Sequence, residues 1–340
     1  MLTKKTEDKR HNTGKVNTGG RLAAAVLLLL FSGAGMLLSA YVPDFAQWYA
    51  VHIYPVLVTT IGRVWGWFPF SVSEILIYIL LLTLVVTMVR MIVKTVLTRR
   101  TRAAVSWISG VLLTAGILAF LYTACCGINY HRKSFSEEEG IVTYEYRLEQ
   151  LRDICVWLTE EVNSRADEVT RNAEGVMELD APEGSGAVES MNRLGEEFPS
   201  VRGYYPQPKK LLISEILSYQ SLSGIYLPFT VEANFIAFLA CVGSERADFQ
   251  YSGYLSGWVY CMNALYRADY ETWQEVRVRL DEAVEPDLEA NNAFWDRYEG
   301  PVSETAERIN DTYLKVNGQA DGVERYDRMV DLIVAYFGEQ

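Results

Sequence analysis

Three apolar runs dominate the first 130 residues of the chain: Leu22–Val42, Ser73–Val93 and Ala103–Cys126. Each is about 20 residues long, the length a helix needs to cross the hydrocarbon of a bilayer. A core helix of a water-soluble domain rarely stays apolar on every side for that distance. Three transmembrane helices are therefore predicted, with Arg90 near the end of the second. Leu38–Ala40 would also suit a signal-peptide cleavage site. The polar segment before the first run and the two further spans favour an uncleaved anchor.

Charge predicts the orientation. Lys4, Lys5, Lys9, Arg10, Lys15 and Arg21 precede the first run, and Lys94, Arg99, Arg100 and Arg102 lie between the second and third. Basic residues flank membrane helices on the cytoplasmic side. Both clusters agree on a cytoplasmic tail over residues 1–21, a membrane region over 22–126 and an extracytoplasmic domain over 132–340. This is the layout of a multi-pass protein of the cytoplasmic membrane. Residues 1–103 carry 12 Lys/Arg and 4 Asp/Glu, a net of +8, whereas the remainder carries 19 and 39, a net of −20. An acidic outer domain argues against nucleic acid, which is bound through clustered positive charge. The expected partners are the lipid bilayer and envelope proteins or peptides.

Between the first two spans, Pro43–Phe70 is loaded with Trp48, Tyr49, Tyr54, Trp65 and Trp67. Such side chains favour the membrane–water boundary, so this segment is expected to lie on the outer leaflet, with His52 as an interfacial residue. Beyond His131 the chain turns polar. Ile141–Ala166 places Tyr144, Leu148, Leu151, Cys155, Leu158 and Val162 at helical spacing. Asn172–Ala187 reads as an acidic, glycine-rich surface loop, followed by a short helix to about Phe198. Leu211–Ser214 and Gly224–Phe229 are candidate strands. Helices are predicted again over Phe249–Tyr266, Tyr270–Ala283, Asp287–Tyr298, Ser303–Val316 and Gly322–Phe337, the first with a core stripe through Tyr254, Trp258 and Met262. The fold class is thus a mainly α membrane protein: three transmembrane helices, then a mostly helical extracytoplasmic domain with room for a small β-sheet.

Signs of catalysis are sparse. A zinc peptidase of the HExxH type needs two histidines one helical turn apart, with the intervening Glu activating a zinc-bound water. The chain has three histidines, His11, His52 and His131, and no two share a helix face. There is no GxSxG, no phosphate-binding glycine loop and no CxxC. Cys125 and Cys126 sit at the end of the third span. Cys155, Cys241 and Cys261 fall in apolar helical patterns, where a thiol packs as a small hydrophobe and bridges are not favoured. The acids of Ser136–Gly140 and Glu282, Glu285, Asp287 and Glu289 read as solvated faces.

One stretch stands out. Leu227–Cys241, LPFTVEANFIAFLAC, is apolar but carries Glu232 and Asn234. Together with GWFPFSVSEIL (Gly66–Leu76), GINYHRKSF (Gly127–Phe135), EANFIAFLACVGSERADFQYSGYL (Glu232–Leu255) and INDTYLKVNGQADGVERYDRMVDLI (Ile309–Ile333), it resembles a bacterial family of unknown function. Its members have three spans and an external zincin-like domain with HExxH. The resemblance covers the chain from the first span to the C-terminus. It implies a PFT-EANF segment, then a helix bearing HExxH, then a second EANF whose Glu is the third zinc ligand. In this chain the two copies are one: PFTVEANF has the left context of the first and IAFLAC the right context of the second.

The resemblance therefore implies an incomplete zincin-like domain in which Glu232 alone stands at a metal-ligand position. Zinc belongs to intact members, and no cofactor is expected here. Read from its own neighbours, Glu232 either falls in the first turn of a helix capped by Thr230, or points inward with Phe235, Ile236 and Leu239 and needs a partner. The expected function is that of a catalytically inactive member. The alternatives are an envelope zinc peptidase with unrecognised ligands such as His131, and a cell-envelope binding or scaffold protein.

Overall fold

The computed structural model describes residues 18–180, 185–205, 207, 232–296, 308–309, 311–312, 315–316 and 328–338. Its first five helices are α1 (Thr18–Tyr41), α2 (Phe45–His52), α3 (Tyr54–Gly66), α4 (Val72–Thr98) and α5 (Arg102–Cys125). Of these, α1, α4 and the helix that begins at Arg102 are long and apolar enough to cross a membrane. The chain divides into two compact units, one of Met1–Ala46 with Ser71–Ile128 and one of Gln47–Phe70 with Asn129–Gln340.

In the first unit, α4 opens at Ser71, whose hydroxyl accepts the Glu74 N–H at 3.3 Å. It closes at Arg99, whose left-handed backbone (φ 50°) turns the chain toward α5. The close pairing in this unit is between α1 and α5. Ala25, Ser32 and Ser39 are the buried residues of α1, and Ser109, Gly116 and Thr123 those of α5. Both sets repeat every seven residues and both are small. A Cβ on Gly116 would lie 3.1 Å from the Ala25 carbonyl oxygen, and one on Gly35 would lie 3.0 Å from Thr123 Cγ2. Contact positions advance along both helices together, so α1 and α5 run parallel. A seven-residue repeat of small side chains lets two helices approach closely at a shallow left-handed crossing.

The second unit adds α6 (Phe135–Glu139), α7 (Leu148–Ala166), α8 (Ser185–Glu197), α9 (Ala233–Val242), α10 (Ala247–Ala268), α11 (Tyr270–Arg277), α12 (Glu285–Asp296) and α13 (Arg328–Phe337). No strand occurs among the described residues. The predicted acidic loop is closed by a single antiparallel bridge between Arg171 and Met177. The candidate strands Leu211–Ser214 and Gly224–Phe229 lie outside the described residues, as does most of Ser303–Val316.

The long helix α10 is the centre of this unit, packed against α7, α9, α11 and α13. Tyr254, Trp258, Met262 and Leu265 are buried as the stripe predicts, and Phe235, Ile236 and Leu239 of α9 join the same core. Trp258 donates its indole N–H to Thr159 Oγ1 at 2.9 Å, and that hydroxyl donates to the Cys155 carbonyl at 2.7 Å, so the polar atoms beneath the stripe are satisfied. The helix predicted over Ile141–Ala166 begins at Leu148 rather than Ile141. Gln150 Oε1 accepts the Arg147 N–H at 2.9 Å, a reciprocal first-turn contact that fixes the start seven residues later than periodicity alone indicates.

None of the five cysteines is in a disulfide. Burial pushes Cys155 up to about 12 and Cys241 up to about 11, and raises Cys261 well above the usual thiol value, so these three stay protonated packing groups.

Two stretches read as solvated acidic faces are solvated only in part: Glu137, Glu282 and Glu289 are exposed, but each stretch also holds buried polar residues. Asp287 is buried, accepting from Arg171 Nη1 at 2.8 Å and from the Met177 N–H at 2.7 Å, with the Tyr251 hydroxyl also bonded to it. Tyr251, inaccessible to solvent, holds its proton because burial and the Asp287 carboxylate both raise its pKa. In the other stretch, Glu138 pairs with the buried Arg132 at 2.6 Å, and Ser136 belongs to the site described next.

Candidate functional site

Glu232 is the one position that the resemblance implies for metal chemistry. Glu232 occupies the N-cap position of α9, where its carbonyl accepts the Ile236 N–H at 2.9 Å. Its side chain makes no cap bond to its own helix. It is 2% exposed and turns inward, in the direction of the Phe235, Ile236 and Leu239 face.

The carboxylate reaches α6. The Ser136 N–H donates to Glu232 Oε2 at 2.7 Å and the Ser136 hydroxyl donates to Oε1 at 2.6 Å. Ser136 is the second residue of α6, so its N–H is one of the donors that a helix start leaves without an intrahelical acceptor. The Ser134 hydroxyl and the Glu137 carboxylate form a capping box that serves other donors of the same turn. Glu232 thus completes the cap of a helix 96 residues away rather than its own. This corrects the expectation that it serves the first turn of its own helix, and bears out its inward alternative.

A cation completes the arrangement. Arg328, the first residue of α13, places Nη1 3.6 Å from Glu232 Oε1. One turn further along α13, Asp331 hydrogen-bonds the Tyr146 hydroxyl, and burial together with that carboxylate pushes the Tyr146 phenol up to about 12. Asn234 Nδ2 donates to the Tyr260 hydroxyl at 3.1 Å and ties α9 to α10. The carboxylate is therefore held by a backbone amide, a hydroxyl and a guanidinium. These are hydrogen-bond donors and a cation, not metal ligands. Two donors on the two oxygens leave Glu232 engaged in a way that does not fit zinc.

The other residues considered for chemistry do not converge on it. His52 is exposed, stacked on Trp48, with Nδ1 3.0 Å from the Trp48 carbonyl oxygen. His131 closes a short 3-10 turn after α5. His11 and Thr230 lie outside the described residues. Among the described residues, no three His, Cys, Asp or Glu side chains group so as to hold a metal ion. Sequence reasoning missed Ser136 and Arg328. The only local sign of the first was Ser134 and Glu137 at capping-box spacing.

No curated protein and no solved structure matches the chain. One family pattern does, that of a protein of unknown function (DUF3810). It matches in two pieces, residues 49–234 and 231–334, and the pieces share Val231–Asn234, the stretch that contains Glu232. Matched from residue 49 to residue 334, the chain belongs to the DUF3810 family.

Proposed function

We propose that this is a non-catalytic member of its family: a membrane-anchored protein whose C-terminal helical domain lies outside the cytoplasm. The observation that carries the reading is the state of Glu232. Both carboxylate oxygens are used structurally, joining the starts of α6, α9 and α13. The double match at Val231–Asn234 supports it, because one stretch serving two places in a family pattern is what the loss of an intervening helix would leave. By resemblance that helix carries the histidines of an HExxH site.

The orientation rests on charge. Arg99, Arg100 and Arg102 occupy the turn between α4 and α5, and the basic tail precedes α1. Placing both clusters in the cytoplasm puts the acidic second unit on the opposite side. The parallel course of α1 and α5 suits three alternating crossings.

The test is metal content and proteolysis on the purified full chain in detergent. The expected result is zinc far below one equivalent and no peptide cleavage above a buffer blank. Stoichiometric zinc with cleavage that a chelator abolishes would overturn the proposal and restore the peptidase.

A further inference from the structure

We propose that α2 and α3 form a foot embedded in the membrane surface, through which the C-terminal unit grips the bilayer. This rests on the reading that α1 and α4 cross the membrane. A chain that leaves through α1 and returns through α4 does so at one face of the bilayer. Only Val42–Asp44 lies between α1 and α2, and only Trp67–Ser71 between α3 and α4. Both ends of the pair are thus held within a few residues of the same surface.

The two sides of α3 differ in what they meet. Gly62 and Gly66, four residues apart, present one face to Tyr204: a Cβ on Gly66 would come 2.7 Å from the Tyr204 hydroxyl, and one on Gly62 would lie 3.4 Å from its ring. At 100° per residue, Val56, Thr60, Val64 and Trp67 fall on the opposite side, and all four are exposed, Trp67 to 82%. Across Pro43–Phe70 the only Asp, Glu, Lys or Arg residues are Asp44 and Arg63. A helix face so apolar and so poor in charge is unsuited to water. It suits the boundary between headgroups and acyl chains, where tryptophan is favoured and an arginine keeps its charge at headgroup level.

The pair is also fastened to the C-terminal unit. Gln47 bonds the Glu138 carboxylate through its amide nitrogen, and its amide oxygen accepts the Lys133 N–H at 3.2 Å. The Arg63 guanidinium sits 5.6 Å above the Tyr204 ring. One face of the foot is built into protein and the other is left for lipid.

The test uses the full chain in liposomes of phosphatidylethanolamine and phosphatidylglycerol, with a benzophenone amino acid placed singly at four exposed positions. These are Val56 and Trp67 on the foot, Leu82 in α4, and Val278 just after α11 as a control away from lipid. The proposal expects lipid adducts at positions 56, 67 and 82 and none at 278. Adducts at 82 but not at 56 or 67 would overturn the foot alone. Cross-links from 56 or 67 to protein, either a second copy or another chain, would overturn it in favour of a protein interface. Absence of adducts at 82 would bring down the crossing of α4, and the foot with it.

Discussion

Ser136 gives Glu232 both its backbone N–H and its hydroxyl, so a two-atom clamp spans 96 residues of chain. The clamp is buried, and bonds to a buried charged acceptor are the stronger kind. Glu232→Gln keeps one acceptor but faces the other Ser136 donor with an amide, which should cost about 1–3 kcal/mol. Ser136→Ala should cost about 0.5–1.5 kcal/mol. Because the two residues meet, the double variant should depart from additivity by about 0.5–3 kcal/mol in denaturant titration of the solubilised chain. Strict additivity would show that the clamp does not form.

Asp287 should matter far more than its acidic neighbours. Asp287→Ala leaves Arg171 and Tyr251 facing a buried gap, and breaking a buried pair from one side costs about 3–5 kcal/mol. Glu289→Ala, at an exposed position of the same helix, should stay within about 0.5 kcal/mol of the parent. Equal denaturation midpoints for the two variants would remove the Arg171–Asp287–Tyr251 network from the account.

Acid should loosen the C-terminal unit through Asp248. Burial raises its pKa, but Arg246 and the N–H groups of Asp180 and Phe249 outweigh burial and hold it below its usual 3.8. A carboxyl depressed by folding adds stability that is present above its unfolded pKa and lost as pH falls through the folded one. Melting temperature should therefore drop as pH falls below about 3.8, and Asp248→Asn should flatten that part of the profile. An unchanged slope in the variant would assign the acid sensitivity to other groups.

The α1–α5 seam should reject bulk at its centre. Gly116→Leu drives a side chain into the Ala25 backbone, and overpacking of this kind costs about 1–3 kcal/mol. Leu118→Phe, two residues on and exposed, should be tolerated. Thermal loss of the monodisperse peak in size-exclusion chromatography reads both. Equal midpoints would show that the helices do not touch at Gly116.

Cys155 and Cys261 should resist alkylation at neutral pH in the folded chain and react only after denaturation, because burial keeps their thiols protonated and covered. Mass spectrometry of the labelled positions reads this directly, and rapid native labelling of either would contradict the packing around α7 and α10.

The three long apolar helices were legible because an unbroken apolar run of about 20 residues favours one continuous helix. The seam within them was not: when every residue of a run is apolar or small, nothing in the pattern tells the face toward a helix from the face toward lipid. In the C-terminal unit, the stripe from Tyr254 to Leu265 was readable by helical spacing. The inward side chain of Glu232 was readable too, because Phe235, Ile236 and Leu239 lie on the same side. Its partners were not, since Ser136 and Arg328 stand on either side of it at the same long remove, and pairing at that range leaves no local trace. Asp287 was misread for the same reason: an acid among acids looks solvated until Arg171, 116 residues earlier, is found beside it.

The seam between α1 and α5 also bears on how the chain is made. About 90 residues separate Ala25 from Gly116, so at roughly 5–20 residues per second α1 is synthesised several seconds before its partner. During that interval its small-residue face is without its partner. Ser32 donates its hydroxyl to the Leu28 carbonyl and Ser39 to the Met36 carbonyl, each at 2.8 Å and each within α1 itself. Neither serine of the newborn helix is therefore left in search of a bond while α1 waits for α5 to emerge.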